Sequence, residues 1–242
     1  MKSIGNIFML IIITNLLLIS TSFAQQFLVI PNIFFSNRNF EYSVPNGNVS
    51  GHISSLGGGI TGIYQHFYID LSGERNLNTN EESIIDGLYN TIKFERTDFA
   101  ASVGYAVNES ISTFLGYKYG KSTLTELQPS PFAGAKTSLE GNGWFVGAGG
   151  GWSVKDWGTF SFSAAYVKMI ADYNSFVPAS TEGEASGSSL GIKWKAPLGK
   201  HLYYDLSLIR HDYYYEDFDK IDFDISEQIL SFRFGLSYHF WN

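Results

Sequence analysis

His52-Ile53-Ser54 places an imidazole two residues before a hydroxyl. On an extended strand those side chains share a face, and the imidazole could take the hydroxyl proton to make a nucleophile. No acid partner for the pair can be named from the sequence. A second set of residues is ionic. Asp70, Glu74, Asp98 and Asp205, with Arg96, Lys118, Lys193 and Arg233, fall at alternate positions of apolar-patterned segments, so that they point to one side. Charges isolated in a low-dielectric interior are costly, so these acids and bases should pair, Arg233 with Asp205 on the neighbouring strand. Paired, they fill an interior as a polar plug; the other possibility is a narrow pathway for ions or solutes. The third set is the acidic run Glu216, Asp217, Asp219, Asp222 and Asp224, which also holds Lys220. Carboxylates at that density could hold a divalent cation, but the run lacks glycine and alternates with Phe218, Ile221 and Phe223, which favours a solvated charged rim. Gly147-Ala148-Gly149-Gly150-Gly151 reads as close-packed strand rather than a phosphate cradle, since no helix follows it. The G-x-S-x-G, H-E-x-x-H and Walker patterns are absent, and nothing calls for a metal or a cofactor.

The elements that position these groups follow from composition and periodicity. The 242 residues carry 16 Lys and Arg against 23 Asp and Glu, a net charge of −7. Aromatics make up 17%, more than the 16% of charged residues, and there are 25 glycines and no cysteine. Disulfides, thiolate metal sites and a lipid-modified N-terminal cysteine are therefore excluded. An acidic chain without a basic cluster is not a nucleic-acid binder. Lys2, the apolar stretch Ile7 to Ile19, and the small residues Ser22 and Ala24 compose a secretory signal peptide over 1–24, cleaved after Ala24. The remainder, 25–242, is a single domain.

That domain alternates with period two. Thr97, Phe99, Ala101, Val103, Tyr105 and Val107 oppose Arg96, Asp98, Ala100, Ser102, Gly104 and Ala106. Ten strands are expected, at 27–36, 49–63, 66–75, 93–107, 111–121, 141–153, 159–173, 185–195, 201–215 and 226–241. They exceed the usual soluble strand of about five or six residues and suit a tilted membrane crossing of roughly 9–11. Long gaps at 37–48, 76–92, 122–140, 174–184 and 216–225 alternate with short ones, as in an all-β, antiparallel transmembrane up-and-down barrel whose long loops face outward from the cell. The segment 27–36 alternates poorly and contains Pro31; without it the barrel has eight strands and 25–63 becomes an N-terminal extension. Aromatic girdles are expected at both ends. Trp152, Trp157, Phe160, Trp194, Tyr204, Tyr238 and Phe240 lie near the short turns; Tyr117, Tyr119, Trp144, Tyr173 and Tyr213 to Tyr215 lie near the long loops.

The last strand, Arg233-Phe234-Gly235-Leu236-Ser237-Tyr238-His239-Phe240, resembles the C-terminal assembly signal of small bacterial outer-membrane barrels of the OmpA/OmpX and opacity-protein kind, with Gly235, Tyr238 and Phe240 at its marked positions. The resemblance implies insertion by the barrel-assembly machinery and residence among outer-membrane lipids and lipopolysaccharide. It implies no chemistry. His52-x-Ser54 is similar to the pair that lipid A deacylases carry at their outer rim. Ten strands also resemble omptin-type proteases, whose rim needs paired Asp residues and an Asp-x-His; the nearest counterparts here are His211-Asp212 with Asp222 and Asp224, in a different order and spacing. The expectation is a monomeric, non-enzymatic outer-membrane barrel with a structural or surface-interaction role through its loops, its extracellular ligand unknown. A narrow porin is the alternative, and a lipid A-modifying hydrolase a less expected one.

Overall fold

The computed structural model describes residues 27–44, 47–77, 80–85, 88–127, 134–175 and 180–240; the expected signal peptide at 1–24 lies outside them. The strands are β1 (Phe27–Val44), β2 (Gly47–Tyr64), β3 (Phe67–Asn76), β4 (Asn80–Ile85), β5 (Leu88–Ala106), β6 (Ile111–Glu126), β7 (Lys136–Ser153), β8 (Thr159–Asn174), β9 (Thr181–Pro197), β10 (Leu202–Glu216) and β11 (Ile225–Tyr238). Each pairs antiparallel with its neighbour, and the sheet closes twice over: β1 pairs with β11, and β3 pairs with β5. β4 continues the line of β3. Arg75 faces Thr97 and Asn80 faces Lys93, so the β3 side advances one residue further than β5, the signature of a bulge. The result is a closed up-and-down barrel of ten strands.

The eight-strand alternative is thereby corrected. β1 pairs with β2 from Phe27↔Tyr64 to Val44↔Gly47, and with β11 from Asn32↔Ser237 to Ser43↔Ser226. Pro31, which has no N–H to give, falls where the β11 ladder is interrupted, between Asn32↔Ser237 and the isolated bridge Val29↔Phe240.

The strands also run further toward the long-loop end than expected. The gap at 37–48 is no loop: β1 continues to Val44 and β2 begins at Gly47. The physical reason is a reversal of polarity along each strand. At the short-turn end the outward side chains form an apolar band: Ile33 and Phe35, Leu56, Ile69 and Leu71, Phe99 and Val103, Leu115, Trp144 and Val146, Phe162 and Tyr166, Leu190 and Ile192, Phe232 and Phe234 are all exposed. The band spans roughly nine residues of a strand, about the length a tilted strand needs to cross a hydrocarbon core. Beyond it the same outward positions carry Asn37, Asn39 and Glu41, Ser50 and His52, Lys168, Glu182 and Glu184, and Arg210 and Asp212. We call this polar extension the collar.

Inside the collar the barrel is filled. Phe40, Tyr42, Ile53, Phe94, Leu139, Val167, Met169, Tyr213, Tyr215, Ile225 and Ile229 form one buried cluster, with Phe40 and Phe94 stacked at 4.0 Å. Two expectations are corrected here. Tyr213 and Tyr215 belong to this core, and Tyr173 packs against it, so none of the three is a girdle residue. The acidic run 216–224 is more than a solvated rim. Phe218 is buried, and Phe218 and Phe223 turn inward to meet Tyr173 at 6.0 and 6.4 Å. The loop is held down by Asp219 N donating to Glu182 O (3.1 Å) and Lys220 N to Thr181 Oγ1 (3.0 Å).

Candidate functional site: a charge lattice across the lumen

Six ionised side chains meet where the band gives way to the collar. Arg38 comes from β1, Glu74 from β3, Arg96 and Asp98 from β5, and Glu227 and Arg233 from β11. They alternate in sign: Arg233 Nη2 reaches Glu74 Oε2 at 2.7 Å, and Glu74 also pairs with Arg38. Arg38 Nη1 reaches Asp98 Oδ2 at 2.6 Å, and Asp98 takes Arg96 Nε at 2.9 Å and Nη2 at 3.0 Å. Arg96 Nη1 then pairs with Glu227. The run begins and ends on β11, so it crosses the lumen and returns.

Hydroxyls satisfy most of the remaining oxygens. Ser36 donates to Glu74, and Tyr42 and Tyr215 donate to Glu227, the latter at 2.7 Å. Arg96 Nη1 also donates to Ser122 Oγ at 2.8 Å. Arg38, Glu74, Arg96 and Glu227 are at most 6% exposed. Charges this deep are tolerable only because each has an opposite partner and further hydrogen bonds. Local structure places them. The bulge after β3 interrupts the ladder beside β5, and Asn76 fills the gap, donating to Phe94 O (2.9 Å) and accepting from Arg96 N (2.8 Å). That fixes the backbone from which Arg96 reaches inward.

Of the eight charges singled out in the sequence, four stand in the lattice: Glu74, Arg96, Asp98 and Arg233. The others lie lower in the lumen and make no ion pair with the lattice. Asp70 accepts from Thr61 Oγ1 at 2.6 Å. Lys118 donates to the Tyr213 hydroxyl and lies 4.8 Å from that ring's centre. Lys193 has no side-chain partner among the described residues. Asp205 does not take Arg233, which belongs to Glu74. It lies instead over Gly235, directly across the ladder, where a Cβ would come within 2.6 Å of its carboxylate. Arg38, Glu227 and Tyr42 were not singled out, and Tyr215 was expected in the girdle rather than on Glu227. Arg38 sat in a supposed loop, although its parity with Phe40 and Tyr42 carried the signal. Beneath the lattice lies a cavity of about 450 Å³.

The other candidates separate by face. His52 and Ser54 share the outward face of β2, above Leu56, and His52 Nδ1 meets Asn39 Oδ1 on β1. His52, but not Ser54, borders an outer cleft of about 770 Å³ with Glu41, Arg210 and Gln228. His211 and Asp212 point to opposite faces, as adjacent strand residues must. His211 turns inward to Ser189 Oγ (2.8 Å), whereas Asp212 turns outward to Arg210 (2.8 Å), so the two cannot share one site. At the assembly strand, Tyr238 and Phe240 point outward with ring centres 4.8 Å apart, and Phe240 N donates to Val29 O at 3.0 Å.

No known protein family matches this sequence, and no curated protein does. Solved structures do match in fold. The outer membrane protease OmpT from Escherichia coli superposes with a TM-score of 0.57 at 11% identity, over 89% of this chain and 97% of that one. The translocator domain of the autotransporter NalP from Neisseria meningitidis gives 0.49 at 12% identity, over 90% and 89%. The attachment invasion locus protein Ail of Yersinia pestis gives 0.40 at 8% identity, over 88% and 99%. The closed barrel, its apolar band and the superposition on the first of these define the class: this is an outer-membrane-type β-barrel.

Proposed function

We propose that this chain is a non-enzymatic outer-membrane barrel with a structural or surface-interaction role, carried by the collar and the loops above it. The signal peptide directs export, the barrel-assembly machinery inserts the chain, and the collar stands at the outer surface beside lipopolysaccharide, as a monomer. The observation that supports the reading is the filled upper lumen. An ionic lattice below and an aromatic core above leave a solid platform where a porin would keep a water path. Conductance of the purified protein in planar bilayers tests it. We expect no steady channel; a reproducible open state would establish the narrow-porin reading in its place.

One observation favours a second reading, a hydrolase acting on membrane lipid. Asn39 orients the His52 ring, Ser54 follows on the same face, and Glu41 lies one diagonal step from His52 beside the outer cleft. Mass spectrometry of lipid A from cells with and without the protein decides it. Altered acylation that disappears in His52→Ala and Ser54→Ala would establish the enzyme; unchanged lipid A supports the surface role.

A further inference from the structure

Two lysines on the wall of the cavity beneath the lattice, Lys118 and Lys193, make no ion pair with a carboxylate. Lys118 donates to the hydroxyl of Tyr213, lies over its ring and feels the charge of Asp98 without touching it, and Lys193 has no side-chain partner among the described residues. Arg38 and Arg233 also line the wall, with their terminal nitrogens on carboxylates. Of the acids lining the cavity, Glu74 and Asp98 belong to the lattice and Asp70 is held by Thr61. Asp70 keeps its charge, but five basic side chains against three carboxylates still leave an excess of positive charge facing one space. That space is not wholly polar, for the paired rings of Phe114 and Phe145, 6.1 Å apart, also line it. It is also reachable: Ser163 and Lys193 point inward yet are exposed, so solvent enters the lumen from the short-turn end.

We propose that this cavity is a binding site for a small organic oxyanion, a phosphate or carboxylate attached to an apolar body. The anionic head accepts from Lys118 and Lys193. The apolar part rests on Phe114 and Phe145. A volume of about 450 Å³ is in the range of small-molecule sites, which join a mostly apolar lining to a few placed polar groups. Entry is from the periplasmic side, because the lattice closes the other. This binding is independent of the surface role and needs no conduction.

The test is calorimetric titration of the mature barrel in detergent with phenyl phosphate, with inorganic phosphate as competitor. Wild-type protein should bind phenyl phosphate saturably at one site, and inorganic phosphate should compete with lower affinity because it leaves the rings uncovered. Lys118→Met with Lys193→Met should weaken binding about tenfold or more, the scale of a lost charge-assisted hydrogen bond. Lys121→Gln with Lys168→Gln, on the collar, should bind as wild type. If the double lumen variant loses its heat-modifiable gel shift, Lys193→Gln replaces it, since that side chain is exposed to lumen water and holds no contact. Absence of saturable binding to the wild type, equal binding by the lumen variants, or loss in the collar variant would each overturn the proposal.

Discussion

The two ends of β1 are built to opposite rules. In its lower half, Ile33 and Phe35 face outward and Ser36 faces in. In its upper half, Asn37, Asn39 and Glu41 face outward and Phe40 and Tyr42 face in. The alternation of facing never breaks, but the outward side changes from apolar to polar at the level of the charge lattice, while the inward side below that level is mixed, with Phe34 next in line to Ser36. Below that level the outer solvent is hydrocarbon, which is as apolar as a leucine, so burying apolar surface inside would gain little. Above it the outer solvent is water, and burying Phe40, Tyr42 and Phe94 is favourable in the ordinary way. The molecule is a membrane barrel with a water-soluble barrel continued on top. The lattice stands at the junction, where neither an open lumen nor an apolar core is complete.

The comparison can be broken or sharpened in order of effect. Deleting Tyr238 to Asn242 should act most strongly. It removes the ladder that ends at Phe240 and Val29, leaving backbone groups unpaired in lipid at several kcal/mol each. Fractionation should find the truncated protein missing from the outer membrane, whereas Ser237→Ala, a lumen-facing change, should insert normally.

Next is the junction. Glu74→Leu leaves Arg233 without its carboxylate and Arg38 with Asp98 alone, and should cost about 3–5 kcal/mol in urea unfolding from micelles. Glu74→Leu combined with Arg233→Leu should cost less than the two changes added, because the residues touch. Arg233→Leu combined with Asp205→Leu should come closer to additivity. The reverse pattern would place Arg233 on Asp205.

Phe94→Ala empties a fully buried site in the upper core and should cost about 3–5 kcal/mol. Phe99→Ala, five residues along on the lipid face, should cost less than half as much, since its ring has no core to leave. Equal costs would erase the distinction between the two halves. Smallest is Lys168→Gln on the collar. Its pair with Glu184 at 2.8 Å is exposed on both sides, so the urea midpoint should barely move and any difference should vanish in high salt.

Much of the lower half was legible in the sequence because period-two alternation with aromatics on one face is a strong signal over ten or more residues. The strand number and the inward parity of Glu74, Arg96, Asp98 and Arg233 could be read in that way. The upper half was not, because Asn37 to Ser43 presents polar residues on the face expected to be apolar and so resembled a loop. Arg38 was lost with it. Which acid meets which base was also hidden. Arg233 and Asp205 sit on adjacent strands, but Arg233 reaches across the lumen to β3, a distance that only closure of the barrel makes short. Phe218 and Phe223, spaced among carboxylates, gave a sign of the inward-turned loop that charge density masked.

The account rests on where hydrocarbon ends, and the absence of cysteine makes that directly measurable. Single nitroxide labels can be attached to cysteines placed one at a time at Ile33, Phe35, Asn37, Asn39 and Glu41, all on the outward face of β1, with the barrel in lipid vesicles. Their collisions with dissolved oxygen and with a water-soluble nickel complex report depth. We expect oxygen to dominate at 33 and 35 and the nickel complex at 37, 39 and 41, a crossover within one outward step. Oxygen dominance continuing through Glu41 would place the collar in the membrane and contradict the two-solvent reading.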